Sequence, residues 1–458
     1  MMEPLHHAHE SVSNPIRDLL ALYEPRALRT YTPTLAVLAR SAGVFHWTQE
    51  GRRLYDFTSG VLVANLGHNP QSWMNRFFTH MHWSGLPTTG AYSPALPMTA
   101  YNAVTSVEVE ASQRLIETLQ SRPGGSRLQQ LLWAASGSEA IQKALWASLA
   151  RDRDRDTIVA TRYGFHGKKG LAGAVTGCET DRDRDPRVRF IGFPMDECAD
   201  IDRRGQSFDP APYRRELDAL LHEFGRRLCV VITEPYLGGG GSYHPPAAYL
   251  QMLQAFCRQH DLIFILDEVQ SNFGRTGELF AYETYGLEPD IVVLGKGLGN
   301  GVPVAAAAGR SDVFAALDYG EASDTWSANP ICCAAVLATL EEFASADILA
   351  ECRRASAIVE AGLKRLKSLP FIAHIRGEKG GMVWGVEFRD HAGKSAAEWA
   401  NAAVLACYRG ENDKGDGIHL MGPLARKVVR IAPPLVLSES QAVEVMELMV
   451  RLLQGLIV

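Results

Sequence analysis

The 458-residue chain contains no apolar run approaching the ~20 residues that a membrane helix needs. A membrane-spanning role is therefore not expected. It has only eight cysteines, at 178, 198, 229, 257, 332, 333, 352 and 407, and none forms a Cys-x-x-Cys pair. A chain this long needs no disulfide staples, so reduced thiols and a cytoplasmic location are expected. An excess of either charge is also missing. The 46 Lys+Arg and 52 Asp+Glu give a net charge of −6, with both signs interspersed. No basic surface for nucleic acid is expected from that balance. The first residues, MMEPLHHAHESVSNP, have neither a basic start nor an apolar stretch, so no signal peptide is expected. His6, His7 and His9 read as part of a flexible exposed tail rather than a metal site, and no metal is expected elsewhere.

What is present is an ordinary globular composition, 46% hydrophobic and 21% charged, long enough for two or three domains. No repeat of fixed period is visible. Arg151-Asp-Arg-Asp-Arg-Asp156 and Asp181-Arg-Asp-Arg-Asp185 echo each other and read as solvated turns or helix ends. Between about 130 and 310, short apolar runs alternate with helical patterns. The runs are Leu131–Ala135, Thr157–Thr161, Leu228–Thr233, Leu262–Leu266 and Ile291–Leu294. Most are apolar throughout, as suits strands buried on both faces of a parallel sheet. Helix-like stretches lie between them, at Glu139–Leu149, Tyr213–Glu223 and Ala247–His260. The pattern predicts an α/β fold, with a large domain whose mostly parallel central sheet is flanked by helices. After about 330 the character changes. Helical stretches at Ile331–Phe343 and Ile348–Leu366, the alternating Gly381–Phe388, then Val428–Pro434 and a helix from Glu439 predict a small α+β domain. The expected division is 1–60 as an N-terminal segment packing with the small domain, 61–330 as the large domain and 331–458 as the small one.

In such sheets ligands bind beyond the carboxyl ends of the strands. Three loops there carry unusual residues. Ser136-Gly-Ser-Glu-Ala140 opens a helix with small residues and free N–H groups, which makes either a phosphate site or a plain capping turn. Asp267 and Glu268 follow an apolar strand directly and point to opposite faces, so they cannot share one role. A buried carboxylate there needs a cationic partner, and a structural salt bridge is the simpler reading. Lys296 sits between glycines after Ile291–Leu294, either a confined amine nucleophile or a surface lysine. Together a phosphate cradle, an acid for a protonated pyridine nitrogen and a Schiff-base lysine are what pyridoxal 5'-phosphate requires.

From about residue 35 to the C-terminus the chain resembles the class III pyridoxal-phosphate-dependent aminotransferases of fold type I. The motifs are Asp56-Phe-Thr-Ser-Gly60, Asn65-Leu-Gly-His68, Ser136-Gly-Ser-Glu-Ala140, Tyr163-Gly-Phe-His-Gly167, Glu234-Pro235, Leu266-Asp-Glu-Val-Gln270, Thr325-Trp-Ser-Ala-Asn-Pro330 and Arg430-Ile-Ala-Pro-Pro434. Lys296 follows Asp267 by 29 positions, as in that family. The resemblance implies catalytic roles for Lys296, as the Schiff-base lysine and proton carrier, and for Asp267, paired with the pyridine nitrogen. It implies that Gly137 and Ser138 hold the phosphate, that Phe165 and Val269 sandwich the ring, that Gln270 contacts its phenolic oxygen and that Glu234 belongs to the cofactor site. Thr325 would reach the phosphate of a neighbouring subunit, implying a homodimer. Arg430 would clamp a substrate carboxylate, with Val61 and Tyr92 lining the substrate pocket.

One departure narrows the expected substrate. The family often carries a second glutamate in its Glu-Pro loop, where this chain reads Glu234-Pro-Tyr-Leu-Gly-Gly-Gly-Gly241. In ornithine and 4-aminobutyrate aminotransferases that glutamate neutralises the arginine; here Gly239 stands in its place. Ornithine-type dual specificity is therefore not expected. The expected activity is ping-pong transfer from an amine or β/ω-amino acid to a small 2-oxo acid such as pyruvate. The alternative is a decarboxylase or aminomutase on the same scaffold, of the dialkylglycine decarboxylase or glutamate-1-semialdehyde aminomutase type. Val61 in place of the decarboxylase's glutamine disfavours the first, and Arg430 the second. The segments 86–109 and 408–427 are not assigned a role; the latter reads as a solvent loop or a specificity element.

Overall fold

A computed structural model describes residues 5–86, 89–182 and 184–457. Pro87, Thr88 and Asp183 of the second charge run lie outside the described residues. The chain forms two compact units. One comprises Gln71–Cys198 and Asp202–Asp347; the other comprises Met1–Pro70, Ala199–Ile201 and Ile348–Val458.

The larger unit is built on a seven-stranded sheet. Its strands run in the order Gln130–Ala134, Ala305–Gly309, Ile291–Leu294, Ile263–Asp267, Leu228–Thr233, Thr157–Thr161 and Val188–Ile191. Only Ala305–Gly309 runs against its neighbours. The four inner strands from Ile291–Leu294 to Thr157–Thr161 are buried along their whole length. Their unbroken Val, Ile and Leu runs are what a sheet covered on both faces demands. Helices Gly137–Ala150, Ala211–Phe224 and Ala247–Gln259 supply the crossovers. Helix Pro330–Ser345 begins where the Asn329 side chain accepts from the Ile331 N–H, with proline at the first turn. Arg151–Asp156 is the turn leaving one of these helices, and Arg151 pairs with Asp261 at 2.6 Å.

The smaller unit draws on both ends of the chain. A four-stranded sheet orders Leu38–Ala42, Phe45–Thr48, Arg53–Asp56 and Gly417–His419, the last parallel to its neighbour. A three-stranded antiparallel sheet joins Ile372–Gly377, Trp384–Phe388 and Val428–Ile431. Two sequence expectations change here. His7 is not in an exposed tail: it is buried, and its Nε2 lies 2.7 Å from the Thr34 carbonyl. The 408–427 tract is not a solvent loop throughout. It contributes the strand Gly417–His419, and buried Asp416 takes Arg53 at 2.7 Å. All eight cysteines are free thiols. No helix among the described residues is long and apolar enough to cross a membrane.

Candidate active site

The strand ends of the larger unit gather most of the residues singled out by sequence. Asp267 ends strand Ile263–Asp267 and is buried. Its Oδ2 lies 2.7 Å from His166 Nδ1, and its Oδ1 accepts from the Val269 N–H at 3.0 Å. Two donors thus fix the carboxylate plane. His166 stands in Tyr163-Gly-Phe-His-Gly167. Its role was not legible in the sequence, because its partner lies 101 positions away.

Glu268 faces the other way, as the alternation of a strand requires. Its oxygens accept the N–H groups of Ala281 and Tyr282, each at 2.7 Å, at the start of helix Ala281–Tyr285. The expected cationic partner is replaced by backbone donors and a helix start. Burial nevertheless pushes its carboxyl up to about 8, against the pull of those two donors.

Glu234 is a third buried acid. It accepts from Phe165 N at 2.9 Å, Gly238 N at 3.3 Å and the Gln270 amide at 3.1 Å. Burial pushes it up to about 7, with His166 and the backbone donors pulling down and Asp267 pushing up. These bonds tie the loops bearing Phe165, Gly238 and Gln270 to one carboxyl group.

Ser136 caps helix Gly137–Ala150 in a full capping box with Glu139. The cap consumes the Ser136 hydroxyl and leaves the first-turn N–H groups of Gly137 and Ser138 for a ligand. A methyl group added at Gly137 would lie 3.0 Å from Val269 Cγ1, so a larger residue here would press on that side chain. Lys296 opens a short 3₁₀ turn, half-buried, with a left-handed φ of 47°. A lysine kept in that region is held there by its surroundings, a feature that clusters at functional sites. Phe165 is 40% exposed and Val269 and Gln270 are half-buried. This donor set fits pyridoxal phosphate. It offers a fixed buried acid, an amine, an aromatic face opposite a branched aliphatic one, and a helix start for a dianion.

Thr325 is exposed. Its loop is anchored by buried Lys143, whose Nζ donates to Trp133 O, Asp324 Oδ2 and Ser327 Oγ, each at 2.6 Å. Tyr92 is 94% exposed and Tyr101 60%, so neither is packed in the core of the chain.

Arg430 and Val61 belong to the smaller unit. Arg430 is buried in strand Val428–Ile431, opposite Gly385. Val61 lies in the turn Ser59–Leu62, whose four residues have φ of 48°, 57°, 68° and 63°. Consecutive left-handed residues are costly for anything but glycine. The turn is held by Ser59 Oγ donating to Ala432 O at 2.7 Å and by the Thr58 hydroxyl and N–H on Asp56.

The fold and the donor set define a fold type I pyridoxal-phosphate-dependent transferase. The family model Aminotransferase class-III matches residues 27–453, and the chain belongs to that family. It is similar to the acetylornithine aminotransferase of Oceanobacillus iheyensis, 27% identical over 428 residues, covering 90% of this chain and 92% of that one. It is also similar to two solved structures. The ornithine aminotransferase of Toxoplasma gondii ME49 matches with a TM-score of 0.79 at 21% identity, over 96% of this chain and 94% of that one. The omega transaminase of Pseudomonas jessenii in complex with PMP matches with a TM-score of 0.79 at 20% identity, over 96% and 97%. The chain is an aminotransferase with pyridoxal phosphate as cofactor, and none of these relatives is named a decarboxylase or an aminomutase.

Proposed function

We propose that the chain transfers an amino group from an amine or a β/ω-amino acid to a small 2-oxo acid, pyruvate in the first instance, by a ping-pong mechanism. The observation that carries this reading is Gly239. A Cβ built there would lie 3.1 Å from Phe165 Cβ. The loop therefore packs backbone against the ring-stacking aromatic, and position 239 itself carries no carboxylate. Arg430, as the family resemblance implies, would clamp the carboxylate of a 2-oxo acid by two parallel hydrogen bonds.

Pyridoxal phosphate, when bound, supplies an electron sink that makes the donor's C–H proton acidic. The chain does the rest. Gly137 and Ser138 N–H groups, with Thr325 from a second copy of the chain, hold the phosphate; this implies a homodimer. Phe165 and Val269 fix the ring plane. Asp267, oriented by His166 and Val269 N–H, keeps a proton on the pyridine nitrogen by a charge-assisted hydrogen bond. Gln270, steadied by Glu234, addresses the phenolic oxygen. Lys296 Nζ would hold the cofactor at rest and would carry the proton between the two carbons of the transfer. Val61 and Tyr92 border the donor.

A second reading is an ornithine or acetylornithine donor, favoured by the names of the relatives at 24–30% identity. An absorbance titration separates the two. With simple amines the cofactor band should disappear and return on adding pyruvate. Rapid consumption of acetylornithine or ornithine, with amines untouched, would sink the first reading.

A further inference from the structure

The smaller unit holds a cluster that amino transfer does not use. We propose that His46, Asp56 and His68 form a binding site for a divalent transition ion of the zinc type. Both imidazoles turn the same atom, Nε2, toward one carboxylate oxygen, Asp56 Oδ2, at 3.4 Å from His46 and 2.7 Å from His68. The ligating atoms of all three residues lie within 4.8 Å of one another. A tetrahedral ion with ligands at ~2.0–2.1 Å sets those atoms about 3.4 Å apart. The His46–Asp56 pair already stands at that spacing, and His68 has only to open from its shorter contact.

The surroundings are those of a built site. Asp56 Oδ1 accepts from the Thr58 N–H at 2.8 Å and its hydroxyl at 2.7 Å, which leaves Oδ2 to the ion. His46 Nδ1 lies 2.6 Å from Ser41 Oγ, an outer contact that fixes which ring nitrogen faces inward. His68 is tied to the neighbouring turn by paired backbone bonds with Gly43 at 2.8 and 2.9 Å. The His419 ring stands edge-on to His46 at 5.5 Å, and its Nδ1 is buried with no hydrogen-bond partner among the described residues. His46 and Asp56 side chains are 4% and 0% exposed, while His68 at 17% leaves a way in. Two imidazoles and one carboxylate suit zinc and its neighbours rather than calcium or magnesium. The fourth position is left to water. An ion here would clamp the strands Phe45–Thr48 and Arg53–Asp56 to the turn that leads to Val61.

The test uses the holoenzyme, stripped of metal by a chelator and titrated with Zn²⁺ by calorimetry and with Co²⁺ by visible absorption. One ion per chain is expected, with a tetrahedral Co²⁺ band at wavelengths beyond the cofactor's own. The band should vanish in His46→Gln/His68→Gln, and Ser41→Ala should weaken affinity by about tenfold. No Co²⁺ band in the wild-type protein would overturn the site. So would full binding in the double variant, which would place the ion elsewhere, on His6, His9 or the cofactor. Should the double variant not fold, the wild-type stoichiometry and Ser41→Ala decide.

Discussion

The two units answer the same problem, a carboxylate taken out of water, in different ways. In the larger unit Glu234 and Glu268 are met mainly by backbone N–H groups, and both are pushed up toward neutrality. In the smaller unit Asp56 is met by two imidazoles and a threonine. Backbone donors hold an acid in place without adding a counter-charge, so burial wins; side-chain bases add a group that can itself carry charge. Asp267 lies between the two patterns, with one imidazole and one backbone donor. Backbone-met Glu234 and Glu268 are both raised, whereas imidazole-met Asp56 ties the strands Phe45–Thr48 and Arg53–Asp56 to the segment carrying His68.

The largest expected effect removes the chemistry and keeps the fold. Lys296→Ala should lower amino transfer by at least ~10³-fold, with circular dichroism and the unfolding midpoint unchanged; full activity would refute the assignment. Asp267→Asn should lower turnover by on the order of 10²-fold with the unfolding midpoint nearly kept. Asp56→Asn sharpens the contrast, since its main effect should be on stability, a loss of ~3 kcal/mol in denaturant unfolding. The comparison breaks if the two asparagine variants behave alike.

A smaller effect tests the backbone-bound acids. Glu268 is raised in the folded chain, so its contribution to stability is complete below the unfolded value of 4.5 and is lost as pH rises through about 8. Between about pH 5 and about pH 8 the wild-type chain should lose on the order of 2 kcal/mol that Glu268→Gln does not lose. Equal slopes in the two proteins would mean that the two N–H bonds keep Glu268 ionised throughout. The smallest effect concerns the left-handed turn. Val61→Gly should relieve strain and change stability by only ~0.5 kcal/mol in its favour, because glycine also gains freedom in the unfolded chain.

Much of the larger unit was legible because its strands are apolar on both faces and its motifs lie at strand ends. The strand Ala305–Gly309 was not, since four alanines and a glycine have little strand preference; neighbours on both sides impose the conformation. Phosphate turn, acid and lysine were legible as local patterns. His166 and the triple bonding of Glu234 were not, because they exist only once distant loops meet. The same holds for Asp56. Its motif with Gly60 was visible, but its pairing with His46 across a hairpin and with His68 beyond it was not.

Lys143 sits one and a half turns into the helix whose first residues, Gly137 and Ser138, are proposed to hold the phosphate, and it pins the loop that carries Thr325. Moving that loop means either dragging the helix or stranding a buried ammonium group. On that proposal, this chain's phosphate turn and the placement of its Thr325 move together. Anyone reshaping this enzyme for a bulkier donor gains more latitude at the exposed Tyr92 or at Val61 than anywhere between Asp324 and Ser327.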